Sequence, residues 1–159
     1  MKKALYEAAR WLAVLLLVFA VLFNGNKAKI SASDAKEVFD SVCAAVDTSE
    51  MQEGDRVMIK RLYGLDADEY EGCYLLYPDT NMGAEEILLV KFAEGTDTQA
   101  LLAAVDRRIE AQKTSFDGYG IEQYELLTKH AVTELAGNFL LFVVSKNDTD
   151  AVKAFREAL

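Results

Sequence analysis

One histidine, two cysteines and one proline are all that this 159-residue chain contains of three residue types on which much site chemistry and chain-breaking depend. The lone His130 has no local partner for a Ser-His-Asp or Cys-His relay, and it reads as a solvent-facing residue beside a strand. One histidine with two distant cysteines does not supply the three or four ligands at characteristic spacing that zinc requires. The nine glycines are scattered through turns, which leaves no glycine-rich loop to cradle a phosphate. Basic charge is scarce as well, at 17 Lys and Arg against 26 Asp and Glu. The first 26 residues hold three of those cations and one of the acids, so residues 27–159 carry 14 basic and 25 acidic groups, net −11. Such a body repels polyanions and excludes nucleic acid as a partner.

What the chain does have is an uninterrupted apolar run, "WLAVLLLVFAVLF", from Trp11 to Phe23. As a helix it rises only about 20 Å, the length of a leader's apolar region; extension back to Ala4 makes it long enough for an anchor. Glu7 and Arg10 then lie three apart near the headgroups, where they can pair. The following "NGNKAKI" lacks small residues at alternating positions, so cleavage is disfavoured, and no cysteine follows to take a lipid. The favoured reading is a signal anchor over residues 1–26, a short linker over 27–32 and one extracytoplasmic domain over 33–159. The N-terminus is expected inside, with Lys2 and Lys3 before the run. Secretion after leader cleavage and a soluble core helix are the alternatives.

The body opens with a helical stripe of Ala35, Val38, Phe39, Val42 and Val46 behind Ser33 as N-cap. A second, shorter helix is predicted in "DRVMIKRLYG", with Val57, Met58, Ile59 and Leu62 inward and Gly64 as its left-handed terminator. An acidic loop, "LDADEYEG", follows. "CYLLY" and "EEILLVKFA" read as a hairpin around "PDTNMG". "TDTQALLAAVDRRIEAQ" reads as a helix with a Thr96–Gln99 capping box and a stripe of Leu101, Val105 and Ile109. "HAVTEL" and "NFLLFVVS" flank a tight turn at Ala136, Gly137 and Asn138. A last helix is predicted to bury Val152, Phe155 and Leu159.

The expected fold is α+β, in the order αα-ββα-ββα: a two-layer domain with a mostly antiparallel four-stranded sheet and helices on one face. Two ββα halves share Asp-Thr-x-Ala at the helix start, which is either a weak internal repeat or common helix-start chemistry.

Three features are candidates for a site. Asp66, Asp68, Glu69 and Glu71 put four carboxylates within six residues, but the glycine and the bidentate glutamate of a calcium loop are out of place. A solvated acidic turn is therefore preferred over a metal at Asp66, Asp68 and Glu71. Tyr63, Tyr70, Tyr119 and Tyr124 flank loops, where tyrosine grips peptides or sugars, although half-buried strand tyrosines are the commoner case. The segment "QKTSFDGYGIEQYELL" reads as a long connection of the kind that carries function. Cys43 and Cys73 are compatible with one disulfide or, equally, with two buried free thiols.

The order "LYGLDADEYE", "AEEILLVKF", a helix ending "RRIEAQKTSF", "EQYELL" and "GNFLLFVVS" resembles the Domain of Unknown Function 4358 family over residues 33–159. Tyr63, Gly64, Glu86, Gln112 and Phe116 match that family's pattern. The resemblance implies a small Gram-positive protein with a membrane segment or lipoprotein leader and one α+β domain; it implies no activity and no cofactor. The favoured function is a tethered, non-catalytic binding or envelope-interaction module. Its partners would be the membrane through the N-terminal helix and an envelope protein or a peptide or glycan ligand. Its expected surface is Tyr63, Tyr70, Glu86, Gln112, Phe116, Tyr119 and Tyr124. The alternative is a hydrolase or transferase using the acidic loop, with or without a divalent cation.

Overall fold

The computed structural model describes residues 30–159; the proposed anchor over Trp11 to Phe23 lies outside them. Among the described residues no helix is long and apolar enough to cross a membrane. The elements in order are α1 (Ala35–Ala44), β1 (Met51–Gly54), α2 (Arg56–Tyr63), a 3-10 turn (Ala67–Glu69), β2 (Gly72–Pro78), β3 (Glu86–Lys91), α3 (Thr98–Phe116), α4 (Ile121–Lys129), β4 (Ala131–Ala136), β5 (Phe139–Val144) and α5 (Asp148–Ala158).

The fold class is α+β, but the sheet has five strands, not four, in the order β1-β2-β3-β5-β4 with every pairing antiparallel. The extra strand is β1, "MQEG", a short edge strand whose polar sequence carries no apolar alternation to betray it. Helices cover both faces, which corrects the two-layer expectation. On one face α2, α3 and α4 pack on Leu75, Leu88, Val90, Leu140, Phe142 and Val144. On the other, α1 and α5 pack on Leu76, Ile87, Leu89, Phe139, Leu141 and Val143. The reason is visible in the central strands. β5 is "FLLFVV" with all six residues buried, and in β3 only Lys91 is not. A strand apolar at both parities must be covered on both sides, as these are.

The two halves are not superposable copies. β3 and β5 pair antiparallel, with Glu86 opposite Val144 and Lys91 opposite Phe139, yet α3 and α5 lie on opposite faces. A rotation that exchanges two antiparallel neighbours keeps their helices on the same face. The two ββα units are therefore of opposite hand, and the shared Asp-Thr is helix-start chemistry. Asp97 caps α3 from its own carboxylate, whereas Asp148 is already the first residue of α5 and leaves its N-cap to Asn147.

Local details follow side-chain chemistry. Asp34, not Ser33, caps α1, accepting from the N–H groups of Lys36 and Glu37. Gly64 ends α2 at φ 74°, as its sequence position predicts. Val57 is exposed and Tyr63 takes the inward place, because the buried stripe of α2 runs through Ile59 and Tyr63. The expected long connection after Phe116 is instead a four-residue link and a helix, α4. Gly118 supplies the positive φ of that link, and a Cβ at Gly120 would stand 2.5 Å from the Phe116 ring. The β4–β5 turn holds only Gly137 and Asn138, since Ala136 faces Phe139.

Part of the expected linker is tied down. Ser31 donates its N–H to Asn138 Oδ1 at 2.9 Å, and the hydroxyls of Ser31 and Ser33 donate to the Leu159 carbonyl at 2.8 and 3.2 Å. Lys91 Nζ donates to the Ser33 carbonyl at 2.9 Å and stands over the Phe139 ring.

The disulfide alternative is not realised. Cys43 and Cys73 are free, and they pack on opposite faces of the sheet, Cys43 in the last turn of α1 and Cys73 beneath α2 and α3. Burial pushes both thiols up, Cys43 to about 11 and Cys73 to about 12, so little thiolate exists at neutral pH. Alkylation of the full-length protein without reductant should add two labels after unfolding and react slowly in the native state. A requirement for reductant before the second label enters would contradict this arrangement.

Candidate functional site

Glu86, the first residue of β3, is fully buried. A lone carboxylate in such a place is costly unless paired and hydrogen-bonded, and four donor atoms on three side chains accomplish this. Register puts Glu86 on the face shared with Leu88 and Val90, beneath α2 and α3. From the last turn of α2, the Tyr63 hydroxyl donates to Glu86 Oε1. From α3, Arg108 donates through Nε to both carboxylate oxygens at 3.1 Å and through its Nη2 to Oε2 at 2.6 Å. One turn further on, Gln112 Nε2 donates to Oε2 at 3.0 Å. Arg108 and Gln112 are four apart on one helix, so both reach the same carboxylate.

The network is anchored on every side. The Tyr63 ring meets Phe142 of β5 edge-on, with centroids 6.4 Å apart and planes at 74°. Burial, with the Glu86 charge beside it, holds the Tyr63 phenol well above its usual value, so it remains a donor. Arg108 is held above its usual value by the Glu86 carboxylate in spite of its burial. One polar atom is left over: Gln112 Oε1 is buried and has no hydrogen-bond partner.

Above this network lies a cleft of about 590 Å³ between α2, the C-terminal half of α3 and the β2–β3 loop. Its lining includes Arg61, Arg108, Gln112, Tyr77, Asn81 and Tyr119. Arg61 is exposed and, among the described residues, makes no ion pair. Asp79 is the one acidic residue of the lining. The lining is rich in donors and holds no His, Cys or Lys.

The expected surface therefore divides in two. Tyr63, Glu86, Gln112 and Phe116 are brought together, but as buried residues and not as a loop rim. The correction has a simple cause: Tyr63 spends its hydroxyl on Glu86, inside the core. Tyr119 is 62% exposed and stands at the cleft, its ring 6.2 Å from that of Phe116. Tyr124 is exposed too, but it lines a separate hollow with Ile121 and Lys129. Tyr70 is half-buried against the α2 and α3 side of the core, apart from the cleft.

The acidic loop gathers no metal site. Asp68 pairs with Arg56 at 2.7 Å, Asp66 with Lys60 at 3.5 Å, and Glu71 faces Lys91 at 3.7 Å, so the three carboxylates are turned to three different cations. Among the described residues no group of three His, Cys, Asp or Glu is placed to hold an ion. His130 is partly exposed, with Nδ1 3.3 Å from Asp148.

Arg108 was missed by the sequence reading, although a signal existed. The stripe Leu101, Val105 continues at helical spacing through Arg108, Gln112 and Phe116, so two polar residues fall on the buried face of α3. A polar residue in an apolar stripe needs a buried partner, and Glu86 is that partner.

A family model, Domain of unknown function (DUF4358), matches residues 44–145, well over half of the chain. No curated protein and no solved structure matches. The matched span holds Tyr63, Glu86, Arg108 and Gln112 together with the whole cleft lining.

Removing one partner of a buried ion pair leaves the other uncompensated. Arg108→Met should therefore cost about 3–5 kcal/mol in urea unfolding, and adding Glu86→Gln in the same chain should recover part of it. A loss in the double variant equal to the sum of the losses in Arg108→Met and Glu86→Gln alone would show that the pair is not coupled. Tyr63 carries a pH signature. Its folded pKa is raised, so above about pH 10 the unfolded chain gives up a proton that the folded one keeps, and stability falls as pH rises. Tyr63→Phe should lower stability at neutral pH by about 1.5–3 kcal/mol and flatten that alkaline decline. An unchanged alkaline slope would remove Tyr63 from the network.

Proposed function

The chain belongs to the DUF4358 family, and from that premise we propose that it is a membrane-tethered binding module whose ligand seat is the cleft over Glu86. The observation that carries the reading is the construction of the cleft floor. Arg108 and Gln112 line the cleft while their inner edges are fixed by a buried carboxylate. Side chains held in this way present hydrogen-bonding groups with little freedom left to lose, which is the condition for selective capture. The lining supports binding over turnover, since its hydroxyl residues have no histidine, lysine or thiol beside them to act as base or nucleophile. The hydrolase alternative draws no support from the acidic loop, where Asp66, Asp68 and Glu71 face three different cations and gather at no common point.

The tether rests on the sequence. The run from Trp11 to Phe23, the cations before it and the lack of small residues at alternating positions soon after it support an uncleaved anchor with the acidic domain outside. Envelope proteins or their peptide or glycan segments are the partners within reach of such a domain.

A photo-crosslinking residue placed at Tyr119 of the full-length protein, in intact cells, tests the seat. Adducts at Tyr119 that are lost with Arg61→Ala, and are missing when the label stands at exposed Val57 instead, are the expected outcome. Adducts at Val57 and Tyr119 alike, indifferent to Arg61, would reject the cleft as the binding surface.

A further inference from the structure

β4 is one edge of the sheet, paired with β5 on one side and with no strand among the described residues on the other. Two contacts fix the phase of its hydrogen bonds. The Phe92 N–H donates to the Asn138 carbonyl, so Asn138 and every second residue after it face β3, which leaves Phe139, Leu141 and Val143 to face β4. The Ser145 N–H donates to the His130 carbonyl, which gives the same phase. Val132, Glu134 and Ala136 therefore spend their N–H and C=O groups on β5. Those of Ala131, Thr133 and Leu135 point outward, where among the described residues they meet no partner.

Such an edge accepts another strand unless it is guarded by short length, a proline, a bulge or an exposed lysine. β1, at the other edge, is four residues long and ends in glycine. β4 has six residues in unbroken register with β5 and holds no proline, glycine or lysine. Its one charge, Glu134, is turned to α5, where Arg156 meets it at 2.6 Å.

The outward residues are symmetric about Thr133. A second β4 laid antiparallel sets Thr133 against the partner's Thr133 and Ala131 against the partner's Leu135, and each of these pairs exchanges two hydrogen bonds. No shifted register engages as many. The small side chain faces the large one, and Leu135, 39% exposed, gains cover. Charge favours a second copy over a foreign strand. The groove between β4 and α5 is lined by Asp148 at the end near His130, and by Lys153, Arg156 and Glu157 with Glu134 towards the other. Its charges nearly cancel in a chain of net −9, and a twofold axis brings the exposed Lys153 and Arg156 of one copy towards the Asp148 end of the other. We propose that two copies of the chain associate through β4, antiparallel about a twofold axis at Thr133, to form one continuous sheet. The inference stands apart from the cleft, whose strand residues Gln52, Tyr77 and Pro78 belong to β1 and β2 at the opposite edge. Both clefts stay open in the pair.

The test follows the full-length protein in detergent micelles over a series of protein-to-detergent ratios, by sedimentation for mass and by NMR for amide exchange. The protein mass should double as the ratio rises. In step, the amides of Ala131, Thr133 and Leu135 should slow about tenfold or more, while those of Val132, Glu134 and Ala136 are slow throughout. Thr133→Pro removes an N–H that β5 does not use, a place where an edge strand takes proline, and Leu135→Lys sets a guarding charge on the edge. Each should leave the β3 amide resonances in place and abolish both the doubling and the slowing. A mass that still doubles in both variants assigns the association to another surface and overturns the proposal. So do outward amides that exchange rapidly at every ratio, or that are already slow in the monomer, where the chain itself would cover the edge. An acetylated, amidated hexapeptide of alternating threonine and valine supplies the foreign strand: if it slows the three amides of a protein that stays monomeric at every ratio, the pairing of copies is rejected.

Discussion

The Glu86 carboxylate, buried under two helices, is the constraint on which the rest of one face depends. Once a charge stands at the start of a central strand, α3 must deliver a guanidinium and an amide at two successive turns, and α2 must end with a hydroxyl in reach. These demands fix the rotation of both helices about their axes. A hydrophobic core tolerates small rotations because apolar contacts are not directional; a carboxylate with four directed donors does not. The pair need not raise stability above what an apolar triad of the same shape would give. Its effect is to single out one arrangement of α2 and α3, and hence one shape of the cleft between them.

Among the described residues the opposite face has no buried carboxylate; its directed ion pair, Arg156 of α5 forked onto Glu134 of β4, lies at the exposed edge. On that face α1 and α5 meet Phe39, Phe139 and Phe155, with Phe139 and Phe155 edge to face at 6.5 Å and Phe39 stacked on Tyr74 at 5.4 Å. The sheet divides the molecule into a layer held mainly by apolar contact and a layer positioned by directed polar bonds. Each central strand serves both, Leu88 facing one way and Leu89 the other. The continuous apolar runs of β3 and β5 are what this double duty looks like in a sequence.

Much of the fold was legible for that reason. Apolar stripes at helical spacing located α1, α3 and α5, and dense apolar runs located β2, β3 and β5, because burial writes itself into composition wherever an element is long. What escaped had little burial to record. β1 is four residues at a sheet edge, and α4 begins after two glycines that read as loop. The placement of helices on both faces was encoded in the unbroken "FLLFVV", which alternation alone cannot explain. The site was half legible: Tyr63, Glu86, Gln112 and Phe116 were singled out, but as a surface. A sequence shows which residues are polar without showing which way they turn. Only the register of β3 and the phase of α3 bring Arg108 onto Glu86 and leave Arg107 outside.

The strap from Ser31 to Ser33 has a consequence for access. It is fastened to the β4–β5 turn, to the end of α5 and to Lys91, all on or beside the layer formed by α1 and α5. The cleft opens in the other layer, between α2 and α3. The chain thus enters the domain from behind the sheet, and the cleft looks out on the far side. Bonded at Ser31 and again at Ser33, the strap is held to the α1 and α5 side of the domain. Residues 31–33 therefore leave the mouth of the cleft clear, and a partner approaching it does not meet the strap.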